Sequence, residues 1–119
     1  MIDQFSENPL FNITVMVGVI FVAAGFIMWK FPPKQINFLY GYRTSRSMKN
    51  QESWDFAQKY AAKEMMKTGL VLAASGLLAF IFDFGSSVNL LVGCMLVFLA
   101  VVILVIRVEK AIKNVLISD

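Results

Sequence analysis

Three stretches of the chain carry no charged residue, and they divide the remaining sequence so that every positive charge falls on one side. The first runs from about Pro9 to Trp29, with an apolar core Ile13–Trp29; the second runs from Thr68 to Phe82, and the third from Val88 to Ile106. A helix rises about 1.5 Å per residue, so roughly 20 apolar residues cross a hydrocarbon core of about 30 Å. The first and third stretches reach that length unaided. The second is shorter, but a helical pattern precedes it. Within that pattern Ala61, Ala62, Met65 and Met66 extend the apolar surface, and Lys63 and Lys67 can reach back toward headgroups along their own aliphatic stems.

Composition agrees. The apolar fraction of 58% exceeds, and the charged fraction of 16% falls below, the values of about 45–50% and 25% usual for soluble domains. A fold of 119 residues cannot hide that much apolar surface from water. The first stretch reads as an anchor, not a cleaved leader. Asp3 and Glu7 precede it with no Lys or Arg, it is too long, and Ala23-Ala24-Gly25 lies within it. With no histidine and the single cysteine Cys94, one chain supports neither a disulfide framework nor a Cys/His zinc site. Cys94 lies midway along an apolar run and reads as a small hydrophobe.

The partition of charge gives an orientation. Of eleven Lys and Arg residues, eight lie between the first two stretches, from Lys30 to Lys67, and Arg107, Lys110 and Lys113 follow the third. None precedes the first stretch or separates the second from the third. Three crossings place both basic regions on one face, which the positive-inside rule makes cytoplasmic. The opposite face receives Asp3, Glu7 and Asp83. The expectation is a single membrane domain over 1–119, with spans at about 9–29, 68–82 and 88–106, a cytoplasmic segment over 30–67, the amino end outside and the carboxy end inside.

Small residues recur at seven-residue spacing: Gly18 and Gly25, Gly69 and Gly76, Gly93 and Ala100. Seven residues is nearly two turns, so each pair lies along one stripe. Small residues let membrane helices approach closely, and these glycines are the candidate packing positions within the bundle, with a self-association face as the other reading. No Asp, Glu, Lys, Arg or His interrupts the spans. Proton relays, ion pathways and voltage sensors ordinarily require one.

Residues 30–67 hold most of the sequence-specific information. Pro32-Pro33 ends the first helix, because proline lacks the amide hydrogen and restricts Phe31 before it. Lys34 through Asn50 follow, rich in Asn, Ser, Thr, aromatic and basic residues and free of acids. Gly41 allows a positive φ or a close backbone approach between Tyr40 and Tyr42. Thr44 or Ser47 suits a local cap. Asn50 is a good N-cap for a helix starting near Gln51, with Glu52 in its first turn. In that helix Trp54, Ala57, Ala61 and Met65 form an apolar stripe, and Asp55 stands four residues before Lys59 as an attractive pair. The helix either lies along the interface or runs straight into the second span. Continuous from Gln51 to Phe82, it would measure roughly 48 Å and project beyond the bilayer.

The ordered set Pro32-Pro33-Lys34, Asn37, Tyr40-Gly41-Tyr42-Arg43-Thr44, Ser47-Met48-Lys49-Asn50 and Trp54 resembles the signature of the SdpI family. These are small bacterial membrane proteins named for an immunity protein against a secreted toxic peptide, the sporulation delaying protein. The chain looks like a short, three-span form, and Ser45 stands where many members carry proline after the Arg-Thr pair. The resemblance implies a bacterial plasma-membrane location and toxin immunity. It also implies signalling, by holding a repressor-type protein at the membrane. On the same resemblance Pro33, Lys34, Asn37, Tyr40, Gly41, Tyr42, Arg43, Thr44, Ser47, Asn50 and Trp54 are the candidate binding residues.

The expected fold is an all-α membrane protein: a three-transmembrane-helix bundle with a motif-bearing cytoplasmic loop and an amphipathic helix between helices 1 and 2. The expected partners are the lipid bilayer, a peptide toxin, a cytoplasmic repressor-type protein and further copies of the chain, with no direct contact to nucleic acid. The expected function is immunity or sensing without enzymatic activity and without a cofactor. A structural or adaptor subunit, or one component of an oligomeric transporter or channel, stand as alternatives. The motif lies on the face away from an arriving toxin. It therefore suits an inner partner, a headgroup, or a lock on the inner helix ends.

Overall fold

The computed structural model describes residues 8–81 and 84–116. Asp3, Glu7, Phe82 and Asp83 lie outside them. Helix α1 spans Pro9–Lys30, α2 spans Gln51–Ser75 and passes into a 3-10 segment Gly76–Phe80, and α3 spans Ser86–Leu116. Asn8 caps α1 by accepting from the Leu10 amide at 2.9 Å, and Pro9 occupies the first helical position, where no amide hydrogen is needed. Phe31 closes the helix, its amide donating to Ile27 O at 2.7 Å, before the two prolines. Asn50 caps α2 by accepting from the Ser53 amide at 2.8 Å.

Among the described residues the fold is all-α with three helices. Two of them, α1 and the Ser86–Val115 part of α3, are long and apolar enough to cross a membrane. The middle helix does not meet that standard, so of the three expected spans the structure supports the first and third, and the shorter one at about 68–82 is not among them. Its first part carries Glu52, Asp55, Lys59, Lys63, Glu64 and Lys67. Only the stretch from Thr68 onward is apolar, and its α-helical portion ends at Ser75. The 3-10 segment rises about 2.0 Å per residue and stretches the remaining apolar residues further than an α-helix would. The amphipathic helix and the second apolar stretch form one continuous rod.

The chain runs up, down and up. Gly18 of α1 faces Gly69 of α2 backbone to backbone: a Cβ added at Gly18 would stand 2.6 Å from Gly69 O, and one at Gly69 would stand 2.5 Å from Gly18 O. Gly25 meets Ala62 and Met66, and Gly76 meets Thr14 and Val15. Gly93 is looser, with Leu10 Cα at 3.5 Å from the added atom. These four glycines, Gly18 and Gly25 of α1, Gly69 of α2 and Gly76 at the start of the 3-10 segment, thus line the seam between α1 and the middle rod.

The tightest apolar core lies at the basic end. Met28, Ala57, Ala61, Ala62, Leu104, Val108 and Ile112 cluster there, with Phe21, Tyr42, Phe56, Tyr60 and Met65 packed around them. Leu104, Val108 and Ile112 are spaced by four. This periodicity carries α3 well past Ile106, where the charges of Arg107, Glu109, Lys110 and Lys113 end the apolar run but not the helix. Toward the other end large apolar side chains such as Val71, Leu77, Leu91 and Phe98 are exposed, as is Cys94. Hydrophobic burial drives packing where water is present and contributes little between helices in hydrocarbon. A bundle with its basic end in water and the rest in hydrocarbon would show this uneven core. Phe26, Trp29, Phe31 and Lys30 form an aromatic and cationic collar at the end of α1, with Lys30 Nζ 6.0 Å from the Phe26 ring centroid.

Candidate functional site

The motif segment between α1 and α2 folds against the basic end of the bundle. Its first anchor is Trp54, fully buried, whose indole Nε1 donates to Pro33 O at 2.7 Å. A buried indole needs such an acceptor. One turn away, Gln51 Nε2 donates to Lys34 O at 2.6 Å and to Asp55 Oδ1 at 2.8 Å. Asp55 thus pairs with Gln51, and among the described residues it forms no ion pair with Lys59, which corrects the expected i, i+4 bridge. Asn37 builds a local turn: its Oδ1 accepts from the Leu39 and Tyr40 amides at 2.9 and 2.7 Å, and its Nδ2 donates to Gln35 O. Tyr40 OH donates to Phe31 O at 2.7 Å and ties the turn back to the end of α1.

The second anchor is Gln58. Its Oε1 accepts from the Tyr42 amide and its Nε2 donates to Tyr42 O, both at 2.7 Å, so one buried side chain pairs with the backbone as a neighbouring strand would. Gly41 makes this possible. Its φ is +111°, and a Cβ there would lie 2.6 Å from Gln58 Oε1. Beyond it, Ser47 is fully buried; its Oγ accepts from the Thr44 amide at 2.8 Å and donates to Tyr42 O at 3.1 Å. Thr44 Oγ1 in turn accepts from the Ser47 amide at 3.2 Å.

The third anchor comes from α3. Glu109 Oε2 accepts from Tyr42 OH and from Thr44 Oγ1, each at 2.9 Å, and Glu109 Oε1 stands 3.7 Å from Arg46 Nη1. Hydrogen bonds to a carboxylate are stronger than neutral ones. Burial, and next the Glu109 carboxylate, push the Tyr42 phenol well above its ordinary value. Nearby, Arg107 Nε and Nη2 donate to Glu64 Oε2 and Oε1 at 2.9 and 3.2 Å, a two-toothed bridge between α3 and α2.

Eight of the eleven candidate residues therefore take part in one connected structure: Pro33, Lys34 through its carbonyl, Tyr40, Gly41, Tyr42, Thr44, Ser47 and Trp54. Asn37 shapes the projecting turn and Asn50 caps α2. Arg43 is exposed and makes no ion pair among the described residues. Outside the anchors, Phe38 and Leu39 are 79% and 93% exposed at the tip of the Asn37 turn. A hollow of about 280 Å³ lies between the prolines and α2, lined by Pro32, Pro33, Lys34, Asp55, Gln58 and Lys59.

Sequence reasoning did not single out Gln58, Glu109 or Glu64. A signal existed for Glu109, a lone acid in the basic tract after Ile106 and next to Val108. Gln58 falls beside Ala57 and Ala61 on the buried side of α2, where an amide side chain is out of place without a partner. The arrangement works as a latch: a carboxylate on one helix and an amide on another hold a loop closed.

The family profile described as the SdpI/YfhL protein family matches residues 34–108, which include the motif segment from Lys34 onward, all of α2 and most of α3. The chain is also 49% identical over 61 residues to a protein of Bacillus subtilis (strain 168) named "Uncharacterized protein YfhL". That match covers 51% of this chain and 56% of the relative, so the chain spans little more than half the length of the relative it matches. No solved structure matches the chain.

Proposed function

The chain belongs to the SdpI/YfhL family, and on that premise we propose that it is an integral membrane protein of immunity or sensing, directed against a secreted antimicrobial peptide. In this reading all three helices cross the bacterial plasma membrane, the amino end is outside, and the basic end with its motif segment is cytoplasmic. The one-sided distribution of Lys and Arg supports that orientation. The Glu64–Arg107 bridge supports a middle helix held within the bundle despite its short apolar stretch.

The observation that carries the proposal is the latch, in which Tyr42 and Thr44 on the loop share Glu109 on α3. A peptide that enters the bilayer and shifts α3 against α1 and α2 pulls Glu109 from both hydroxyls. The loop then loses its α3 anchor while Trp54 and Gln58 still hold its base. An event on the outer side or in the bilayer thereby becomes a change on the inner face, where a repressor-type protein can respond. This resolves the position of the motif on the face away from the toxin: the segment reports and does not make first contact.

Expression in a toxin-sensitive strain tests the proposal. Survival should rise with the intact chain, and Asn37→Ala and Arg43→Ala should lower it while the protein still fractionates with membranes. Equal killing with and without the chain refutes immunity. An adaptor role is the second reading, favoured by the exposed Phe38-Leu39 tip. There a cytoplasmic partner should be captured by the intact chain and lost on Phe38→Ser with Leu39→Ser, without any effect on survival.

A further inference from the structure

Between α2 and α3 runs an open groove of about 420 Å³ that the latch does not use. Its walls are apolar: Val71 is 71% exposed, Leu99 49% and Ile103 53%. Its lip, at the basic end, is charged and consists of Glu64, Lys67 and Arg107. From Glu64 to Ser75 on α2 the groove extends about 16 Å along the helix axis. An apolar groove of that length matches one extended hydrocarbon chain lying along it.

The lip decides the headgroup. Glu64 is engaged by Arg107 through two hydrogen bonds of 2.9 and 3.2 Å, whereas Lys67 Nζ stands 3.9 Å from Glu64 Oε1 and its side chain is 70% exposed. Two cations against one carboxylate leave a surplus positive charge at the mouth of an apolar slot. Basic pockets between membrane helices at the cytoplasmic level suit anionic lipid headgroups. We propose that this groove is a binding site for one anionic phospholipid of the inner leaflet. One acyl chain lies between α2 and α3, and the headgroup phosphate rests on Lys67 and the exposed edge of Arg107. The bound chain fills the seam that the side chains of α2 and α3 leave open. The site thereby couples the position of α3, and with it Glu109, to the lipid around the protein.

The proposal rests on the membrane reading above, which membrane fractionation tests separately. A chain absent from the membrane fraction defeats both, whereas a membrane-bound chain without a lipid preference defeats this one alone. The test titrates the full chain, purified in neutral detergent, with phosphatidylglycerol, phosphatidylcholine or glycerol phosphate. Retained lipid is read by native mass spectrometry and stability by the thermal midpoint. Phosphatidylglycerol should be retained and should raise the midpoint, with affinity at least tenfold above phosphatidylcholine. Lys67→Glu should remove most of that preference. Ala100→Trp, which fills the groove, should abolish retention of both lipids; Leu99→Trp serves if that variant loses its helical circular dichroism, and Lys67→Glu decides alone if both do. Equal retention of the two lipids overturns the proposal, as does unaltered retention by a folded groove-filled variant. Stabilisation by glycerol phosphate equal to that by the lipid assigns the lip to free phosphate and also overturns it.

Discussion

Gln58 holds Tyr42 by both of its backbone groups: the Tyr42 amide donates to Gln58 Oε1 and Gln58 Nε2 donates to Tyr42 O, each at 2.7 Å. The contact joins residues sixteen apart, from the middle of the loop to α2, and Gln58 is buried while it makes it. Without Gln58 the part-buried Tyr42 amide would lose its acceptor, and without the Tyr42 backbone the buried Gln58 side chain would be left unpaired, which is the expensive arrangement.

Gln58→Ala should therefore destabilise the protein by about 1–3 kcal/mol, the cost of one buried amide left unsatisfied. The second bond adds less, because Ser47 Oγ still donates to Tyr42 O. Thermal unfolding in detergent measures the loss. Limited trypsin digestion should show faster cleavage after Arg43 and Arg46, which lie on the freed strand. An unchanged midpoint together with unchanged cleavage would mean that the clamp does not hold the loop.

Gly41→Ala and Gly85→Ala form a matched pair. Both glycines have positive φ, +111° and +94°, so both substitutions incur backbone strain of about 1–3 kcal/mol. Only at Gly41 does the added Cβ also meet a neighbour, Gln58 Oε1 at 2.6 Å, whereas among the described residues nothing lies within 4 Å at Gly85. Gly41→Ala should lower the midpoint more than Gly85→Ala and should alone expose the loop to trypsin.

The helix seam predicts a graded response too. Gly18→Ala and Gly76→Leu should each destabilise the bundle, because their added atoms come within 2.6 Å of Gly69 O and 2.9 Å of Thr14 Oγ1. Gly93→Ala should be nearly neutral, with its nearest contact at 3.5 Å. Equal midpoints across the three variants in detergent would remove the seam as a source of stability.

What the sequence made legible depended on periodicity and on local chemistry. The first and third helices, the stop at Pro32-Pro33, the Asn50 cap and the Trp54, Ala57, Ala61 stripe all follow from rules that operate within a turn or two. The glycine spacing marked the α1–α2 seam because each repeat lies on one helix face. The middle helix was less legible, since hydropathy treats the charged half and the apolar half as separate while the backbone runs through both. Gln58 and Glu109 were not legible, because their partners lie sixteen and more than sixty residues away. A polar residue on a buried face announces that a partner exists but not which one.

Alkaline pH should weaken the fold through Tyr42. Its phenol is raised in the folded state by burial and by the Glu109 carboxylate, while in the unfolded chain it titrates near its ordinary value of about 10. Below that value both states keep the proton and the contribution is fully present. As pH rises past about 10 the unfolded state releases its proton first, so stability falls progressively toward the folded value. The midpoint measured from pH 8 to 11 should decline less steeply in Tyr42→Phe than in the native chain. Parallel profiles would exclude Tyr42 as the source.

Glu109 carries the link between the loop and α3, so its variants test whether the latch controls opening. Glu109→Ala removes an acceptor that serves both Tyr42 OH and Thr44 Oγ1 at 2.9 Å. A hydrogen bond to a charged group contributes about 1.5–3 kcal/mol, so the net loss of even one of the two shifts the open population of the loop by roughly tenfold to a hundredfold. When opening is fast relative to cleavage, proteolysis follows that population. Trypsin should therefore cut after Arg43 and Arg46 about ten to a hundred times faster in Glu109→Ala. Glu109→Gln should fall between that variant and the native chain, because it keeps an acceptor oxygen but loses the charge and the Arg46 pairing. Glu64→Gln should leave loop cleavage at the native rate, since its bonds join α2 to Arg107 and not to the loop. If Glu109→Ala and Glu64→Gln open the loop equally, the loop responds to general loosening of the basic end and Glu109 is not a latch.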